Sequence, residues 1–296
     1  MNILIIGGHG FLGLQLKKDI EKAFSLAKIY ISTERKELAG NSIMHVDYKK
    51  LSSVTELITF VKPKYIIHLA SYCIRDSSDN ALAKGKIRDD NILSALSCVN
   101  FNFKMIFVSS MAVFAMNNKD IDPSMHEPAS NYGLEKSYMI KRLSNLVATS
   151  NEFSYKIVYP SSIYGKGQKG VMFLPRLHDF IKNRIPMKAY GGNKKRDFIH
   201  VKDVSKILVQ LLLEYKENSH IHIFAHSYKL IKMSEIASNV FSICKTNPEN
   251  FIVFQDSKED MKRDAEEFQV VSESHRYTPV PITIDIHEGL KEMFSD

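Results

Sequence analysis

The sequence predicts an α/β chain built on a doubly wound parallel sheet, with a smaller α+β part towards its C-terminal end. Three observations predict it. Over the first two-thirds of the chain, six short apolar runs rich in β-branched residues alternate with longer stretches of helical spacing. A cluster of glycines directly follows the first of these runs. After about Pro160 the rhythm breaks, with Pro175, Pro186, Gly191 and Gly192 as interruptions.

Residues 2–6, 29–32, 43–46, 65–70, 104–109 and 156–159 read as strands. They are continuous apolar runs rather than alternating ones, which suits strands covered on both faces. Between them, Leu12, Leu16 and Ile20, then Val54, Leu57, Ile58 and Val61, then residues 134–147, repeat at helical spacing. Beyond Pro160, residues 204–213 read as a helix, 221–225 as a strand and 234–243 as a helix with Ser234 at its N-cap. Residues 255–267 are charged enough to read as a loop or a solvated helix. No flexible linker separates the two parts, so the second is expected to pack on the sheet.

The 296 residues are 44% hydrophobic and 25% charged, a globular balance. No run approaches the ~20 apolar residues of a membrane-spanning helix. The apolar N-terminal segment has no basic start and no small-residue cleavage site, so a signal peptide is not expected. Cys73, Cys98 and Cys244 are far apart, which fits a reduced, cytoplasmic protein and no metal-ligand spacing. The net charge of +7, densest at Lys194-Lys195-Arg196, favours an anionic partner, though scattered surface lysines give the same number.

Gly7-Gly8-His9-Gly10-Phe11-Leu12-Gly13 carries glycines at the spacing GxxGxxG between the first strand and the first helix. Gly7 suits a tight turn, Gly10 a close approach of backbone to a pyrophosphate, and Gly13 close packing of the helix. The helix N-terminus offers free N–H groups to that anion. Together they predict a dinucleotide site. At the end of the second strand, Ser32, Thr33 and Arg35 suit the 2′-phosphate of NADP, while Glu34 argues for the ribose diol of NAD. The balance tips to NADP, with NAD left open.

Tyr132 and Lys136 lie four residues apart, on one face of a helix. A neighbouring ammonium, together with the cation of an oxidised nicotinamide, is expected to lower the phenol from ~10 and fit it for proton transfer. Ser109 and Ser110 end the fifth strand, where Ser110 could bind a substrate oxygen beside Tyr132 and Ser109 could do the same or line the cofactor.

These motifs in order make the chain resemble the extended short-chain dehydrogenase/reductases, in the NAD-dependent epimerase/dehydratase branch that acts on nucleotide sugars. The resemblance rests on the glycine turn, Asp47-Tyr48, His68-Leu69-Ala70-Ser71, Ser109-Ser110, Tyr132 with Lys136, and residues 160–165. It continues through residues 196–204, Thr278-Pro279 and Glu288-Gly289-Leu290. It implies a Rossmann-like dinucleotide-binding domain over 1–165, with later segments returning to it, and a mainly nucleotide-sugar-binding region over 166–296. It implies that Ser110, Tyr132 and Lys136 are catalytic. Asp47 and Tyr48 would flank the adenine, and Leu69, Ala70 and Ser71 would line the cofactor cleft. Tyr159, Ser161 and Ser162 would lie beside the nicotinamide, and Arg196 would hold the substrate diphosphate. Family analogy also implies a homodimer.

The departures narrow the reaction. Dehydratases of the family carry Asp-Glu after the catalytic hydroxyl, where this chain has Met111 and Ala112, which cannot transfer protons. The usual Tyr-Gly beyond is Phe114-Ala115, the family's asparagine after strand four falls at Gly85 or Lys86, and Ser162 replaces a substrate-contacting Asn. Two outcomes remain: reduction of a 4-keto nucleotide sugar by NADPH, slightly favoured, and 4-epimerisation with tightly bound NAD. A non-catalytic dinucleotide sensor or RNA-binding protein of the same fold is the reading of another class, disfavoured by the joint presence of Ser110, Tyr132 and Lys136. His220, His222 and His226 alternate along one stretch without a catalytic context, and no metal is expected, although His220 and His222 sharing a face leave a chance zinc site open.

Overall fold

The computed structural model describes residues 1–74, 76–114, 121–149, 153–215, 221–247, 252–255 and 279–295. Seven strands form the large sheet: β1 (Asn2–Ile6), β2 (Lys28–Thr33), β3 (Ile43–His45), β4 (Tyr65–His68), β5 (Phe103–Val108), β6 (Phe153–Pro160) and β10 (His222–Ala225). All neighbours are parallel, in the order β10-β6-β5-β4-β1-β2-β3. The seventh strand was expected from residues 221–225, and it comes back from the second part of the chain to extend the sheet beside β6.

The inner strands β1, β4 and β5 bury both faces, which explains their apolar runs, while the edge strand β3 is only half-buried. Leu4 and Ile6 of β1 face one core, with Val54, Leu57, Ile58 and Val61 of α2 (Leu51–Val61). The same core takes Ile92, Leu93 and Leu96 of α3 (Asp79–Ser97) and Met139, Ile140 and Leu143 of α4 (Asn131–Thr149). Ile3 and Ile5 face the other core, with Leu16 and Ile20 of α1 (Phe11–Ala23) and Val204, Ile207, Leu208 and Leu211 of α6 (Val201–Leu213). The sheet is thus the middle of three layers.

A third core gathers the remaining elements: β7 (Ser162–Tyr164), α5 (Phe173–Asn183), β8 (Met187–Tyr190), β9 (Lys195–His200), β11 (Leu230–Lys232), α7 (Met233–Ile243), β12 (Ile252–Gln255) and α8 (Ile286–Phe294). Its sheets are small, one ordered β11-β9-β7 and one pairing β12 with β8. These strands of three to six residues lack a periodic signature long enough to read in sequence. Asp203 of α6 ties the C-terminal segment to the large sheet's layer: its carboxylate accepts from the Thr283 hydroxyl at 2.9 Å and the Ile284 amide at 2.9 Å.

One sequence expectation is corrected here. Ser234 is not the N-cap of its helix; α7 begins at Met233 with Lys232 in the cap position. The Met233 and Ser234 amides, which a cap would satisfy, donate to the carbonyls of Lys194 and Gly192. Residues 256–267, Ala115, His220 and Thr278, each singled out in the sequence, lie outside the described residues. No helix of the described residues is long and apolar enough to cross a membrane, and none of their His, Cys, Asp and Glu side chains form a group of three placed to hold a metal ion.

Candidate active site

The chain leaves β1 towards β2 and β3 on one side, while β4, β5, β6 and β10 lie on the other. The carboxyl ends of β1 and β4 therefore flank the point where winding reverses, the place where open α/β sheets bind ligands. Gly7 stands there with φ at +77°, and a Cβ on it would lie 2.8 Å from the Ala70 backbone. Both the turn and the close approach to the β4 end exclude a side chain. Gly10 occupies the N-cap position of α1 without a side-chain cap, and a Cβ there would meet only the Gly7 carbonyl, at 3.4 Å. A Cβ on Gly13 would run into the backbone of Gly8. Phe11 and Leu12 open α1, half-buried. The result is an open cradle in front of uncapped helix amides, which suits a pyrophosphate.

On the β2 side the predicted residues divide. Ser32 and Tyr48 are buried and their hydroxyls are bonded to one another at 2.5 Å, so neither side chain is turned out towards a ligand. Thr33 accepts from the Arg35 amide at 3.2 Å, while the Arg35 side chain is exposed. Asp47 accepts from the Lys49 amide at 3.1 Å and lies 3.7 Å from the Lys50 ammonium. Glu34, exposed, accepts from the Tyr72 hydroxyl at 2.5 Å.

On the β4 and β5 side, α4 carries the acid/base pair. Tyr132 sits half-buried on its first turn, close enough to the Ser110 hydroxyl just past β5 for the two to interact. One turn on, the buried Lys136 ammonium donates to the carbonyls of Val108 at 3.0 Å and Ala70 at 3.2 Å. It lies 6.0 Å from the Tyr132 ring centre. Burial pushes the phenol up to about 12, with the Glu135 carboxylate adding to the rise and Ser110 opposing it. The expected lowering of the phenol is therefore not met in the chain alone: desolvation outweighs the hydrogen bond, and the ammonium is committed to two carbonyls. Burial also brings Lys136 down to about 8, against the pull of Glu135. Ser109 is buried beside this group, and its hydroxyl oxygen has no partner among the described residues.

Glu135, between these two residues, was missed by sequence reading. It is fully buried. Its carboxylate accepts from the Ser71 hydroxyl, the Tyr72 amide at 3.1 Å and the Cys73 amide at 3.2 Å, and pairs with the Arg88 guanidinium at 3.2 Å. Arg88 is also bonded to Asp89 at 2.7 Å, and Asp89 accepts from His68 at 3.0 Å. His68 receives the Ala70 amide on Nδ1, so its Nε2 carries the proton towards Asp89. Consecutive residues of α4 thus clasp consecutive residues of one loop: Lys136 holds Ala70, and Glu135 holds 71–73. The available signal was the spacing of Tyr132 and Glu135, three apart on one helical face, but the partner Arg88 is distant in sequence.

The remaining predicted residues are more dispersed. Leu69 packs half-buried against the core of α1 and α6. Tyr159 is fully buried in the core below α4, its hydroxyl bonded to His222 at 3.0 Å, so its side chain does not line the crevice. Ser161, past the end of β6, donates to Asp197 at 2.7 Å, and Ser162 starts β7 opposite Phe198. Arg196, on β9, is 8% exposed and donates to the Lys195 carbonyl at 2.8 Å.

The cradle at Gly10, the uncapped amides and the orphaned Ser109 hydroxyl fit a dinucleotide lying from the glycine turn to Tyr132. The family model for the NAD dependent epimerase/dehydratase family matches residues 3–225. A putative UDP-glucose 4-epimerase of Methanocaldococcus jannaschii is 29% identical over 219 residues, 69% of this chain and 71% of that protein. A dTDP-D-glucose 4,6-dehydratase of Dictyostelium discoideum is 23% identical over 273 residues; the match spans 81% of this chain and 62% of the dehydratase. Among solved structures, the fold is similar to that of a UDP-glucuronic acid 4-epimerase from Bacillus cereus in complex with UDP-glucuronic acid and NAD. That match has a TM-score of 0.84 and 18% identity, over 99% of this chain and 98% of the other.

Proposed function

Because the chain belongs to the NAD-dependent epimerase/dehydratase family, and is thus an enzyme of the short-chain dehydrogenase/reductase type, we propose that it catalyses the 4-epimerisation of a nucleotide-diphosphate hexose with bound NAD. The observation that carries this reading is the meeting of Ser110, Tyr132 and Lys136 beside the glycine turn. A bound nicotinamide supplies the hydride acceptor and donor and, when oxidised, a positive charge near the phenol.

The chain's own residues do the rest. Tyr132 takes the proton of the sugar hydroxyl as hydride leaves the carbon, and returns it when hydride comes back to the other face. Ser110 fixes the phenol and offers a second hydrogen bond to the sugar oxygen. Lys136, anchored by Ala70 and Val108, keeps a positive charge one helical turn away. Arg196 is the proposed guanidinium for the substrate diphosphate. Met111 is buried and Ala112 has no titratable group, so nothing at those positions can move the protons that elimination of water requires. This disfavours the dehydratase reaction.

Glu34 at the end of β2, 21 residues after Gly13, supports the ribose diol of NAD. Arg35 in the same turn supports a second reading, reduction of a 4-keto nucleotide sugar by NADPH. The test incubates the purified protein with UDP-hexoses and follows the sugars by NMR. Interconversion of 4-epimers without net change in reduced cofactor is expected. Stoichiometric consumption of NADPH with a 4-keto sugar, and no epimerisation, would replace the first reading by the second.

A further inference from the structure

Tyr72 lies four residues beyond the end of β4 and makes contacts in three directions. Its amide donates to Glu135 at 3.1 Å, and its ring centre lies 5.3 Å from the Arg88 guanidinium carbon. Both partners are buried, so the residue is held firmly by the inner network. Its hydroxyl then donates to the Glu34 carboxylate at 2.5 Å. In the sheet order β4-β1-β2 this bond passes from the loop behind β4 to the loop behind β2, spanning the strand that leads into the glycine turn.

Glu34 is otherwise exposed, and among the described residues its carboxylate has no other hydrogen bond. An exposed glutamate samples several rotamers and loses that freedom on binding. Bonded through Oε2 to Tyr72, the group has Oε1 left as an acceptor. Moving it aside to admit a second anion would break that bond.

We infer that Tyr72 is a positioning residue for cofactor choice: it holds the Glu34 carboxylate at the end of β2 as a fixed acceptor for a ribose diol, and so opposes a 2′-phosphate. The inference rests on the NAD reading above and goes further, because it places the selecting device on a loop that follows a different strand from the selecting carboxylate. A phosphate in that corner would meet a carboxylate pinned in place, a like-charge contact. Without the hydroxyl the carboxylate is free to turn to solvent, and the exposed Arg35 guanidinium lies in the same turn to meet the phosphate.

The experiment titrates NADH and NADPH separately into the full-length protein and reads cofactor fluorescence. It uses the wild type, Tyr72→Phe, Glu34→Gln and the double variant. The Tyr72→Phe variant keeps the ring against Arg88 and the amide on Glu135, and a thermal melt without cofactor checks that the fold is kept. The wild type is expected to bind NADH more tightly. Tyr72→Phe is expected to narrow the NADH-over-NADPH ratio by about three- to tenfold, the range of one hydrogen bond to a charged group at a solvated site. In the Glu34→Gln background the tyrosine substitution should change the ratio no further, since it acts through that carboxylate. If Tyr72→Phe shifts both affinities by one common factor, leaves the ratio alone, or changes it equally in the Glu34→Gln background, the inference is overturned while the NAD reading stands. A wild type that binds NADPH more tightly overturns the NAD reading and this inference with it.

Discussion

The absence of a side chain at Gly85 makes the space that the carboxylate of Glu135 fills. The two residues lie on neighbouring helices, α3 and α4, and a Cβ on Gly85 would overlap Oε1 and lie 2.7 Å from Cδ of Glu135. Glycine inside a helix costs about 0.5–1 kcal/mol relative to alanine, so its place at the middle of α3 is explained by packing. It lets a buried carboxylate reach the loop after β4.

Gly85→Ala is therefore expected to destabilise the protein, by about 1–3 kcal/mol as an overpacked core does, despite its better helix propensity. Chemical denaturation measures it. A neutral or stabilised variant would show that α3 and α4 can part without cost.

Glu135→Gln tests the clasp itself. The glutamine presents an NH2 group where the carboxylate accepted three donors and paired with Arg88. The expected outcome is a loss of about 3–5 kcal/mol of stability, the scale for breaking one side of a buried pair. Dinucleotide affinity should fall as well, because Ala70 and Ser71 border the glycine turn. Calorimetric titration with NADH on the refolded variant reads the second effect, and unchanged affinity would confine Glu135 to a role in stability.

Tyr132→Phe removes the proton carrier and keeps the ring. Turnover should drop by about 10²–10⁴-fold, the contribution of a positioned general acid or base, with NADH binding nearly unchanged. Comparable epimerisation by this variant would remove Tyr132 from the reaction.

Acid should weaken the fold before the carboxylates protonate. His68 is held neutral, lowered to about 4 chiefly by burial, and His126 likewise; His9, His200 and His226 are also lowered. With folded values below the unfolded 6.5, the unfolded chain takes up protons that the folded chain refuses. Stability is thus full above about pH 6.5 and is lost as pH falls towards 4. His68, fully buried, contributes to this loss in that direction. Urea midpoints at pH 7 and pH 5 measure the slope, and equal midpoints would contradict it.

The sheet was legible in the sequence because inner strands buried on both faces, such as β1, β4 and β5, must be largely apolar, and the glycine turn because of its spacing. Gly7, Gly10 and Gly13, Ser110, Tyr132 and Lys136 were legible for a related reason: a turn or one helical face fixes their mutual position locally. The short strands of the smaller part gave too few residues for a period to show. Whether Ser32, Tyr48 and Tyr159 point into the crevice or into the protein was decided by partners far along the chain. So was the protonation of Tyr132, since the desolvation that raises its phenol depends on what surrounds it and not on its neighbour four residues on. The clasp of Glu135 on residues 71–73, the gap left by Gly85 and the bond from Tyr72 to Glu34 join segments that sequence spacing cannot relate. Local periodicity determines which elements form and what they carry; only the packed chain sets which buried charges face one another, because that energy arises between elements and not within them.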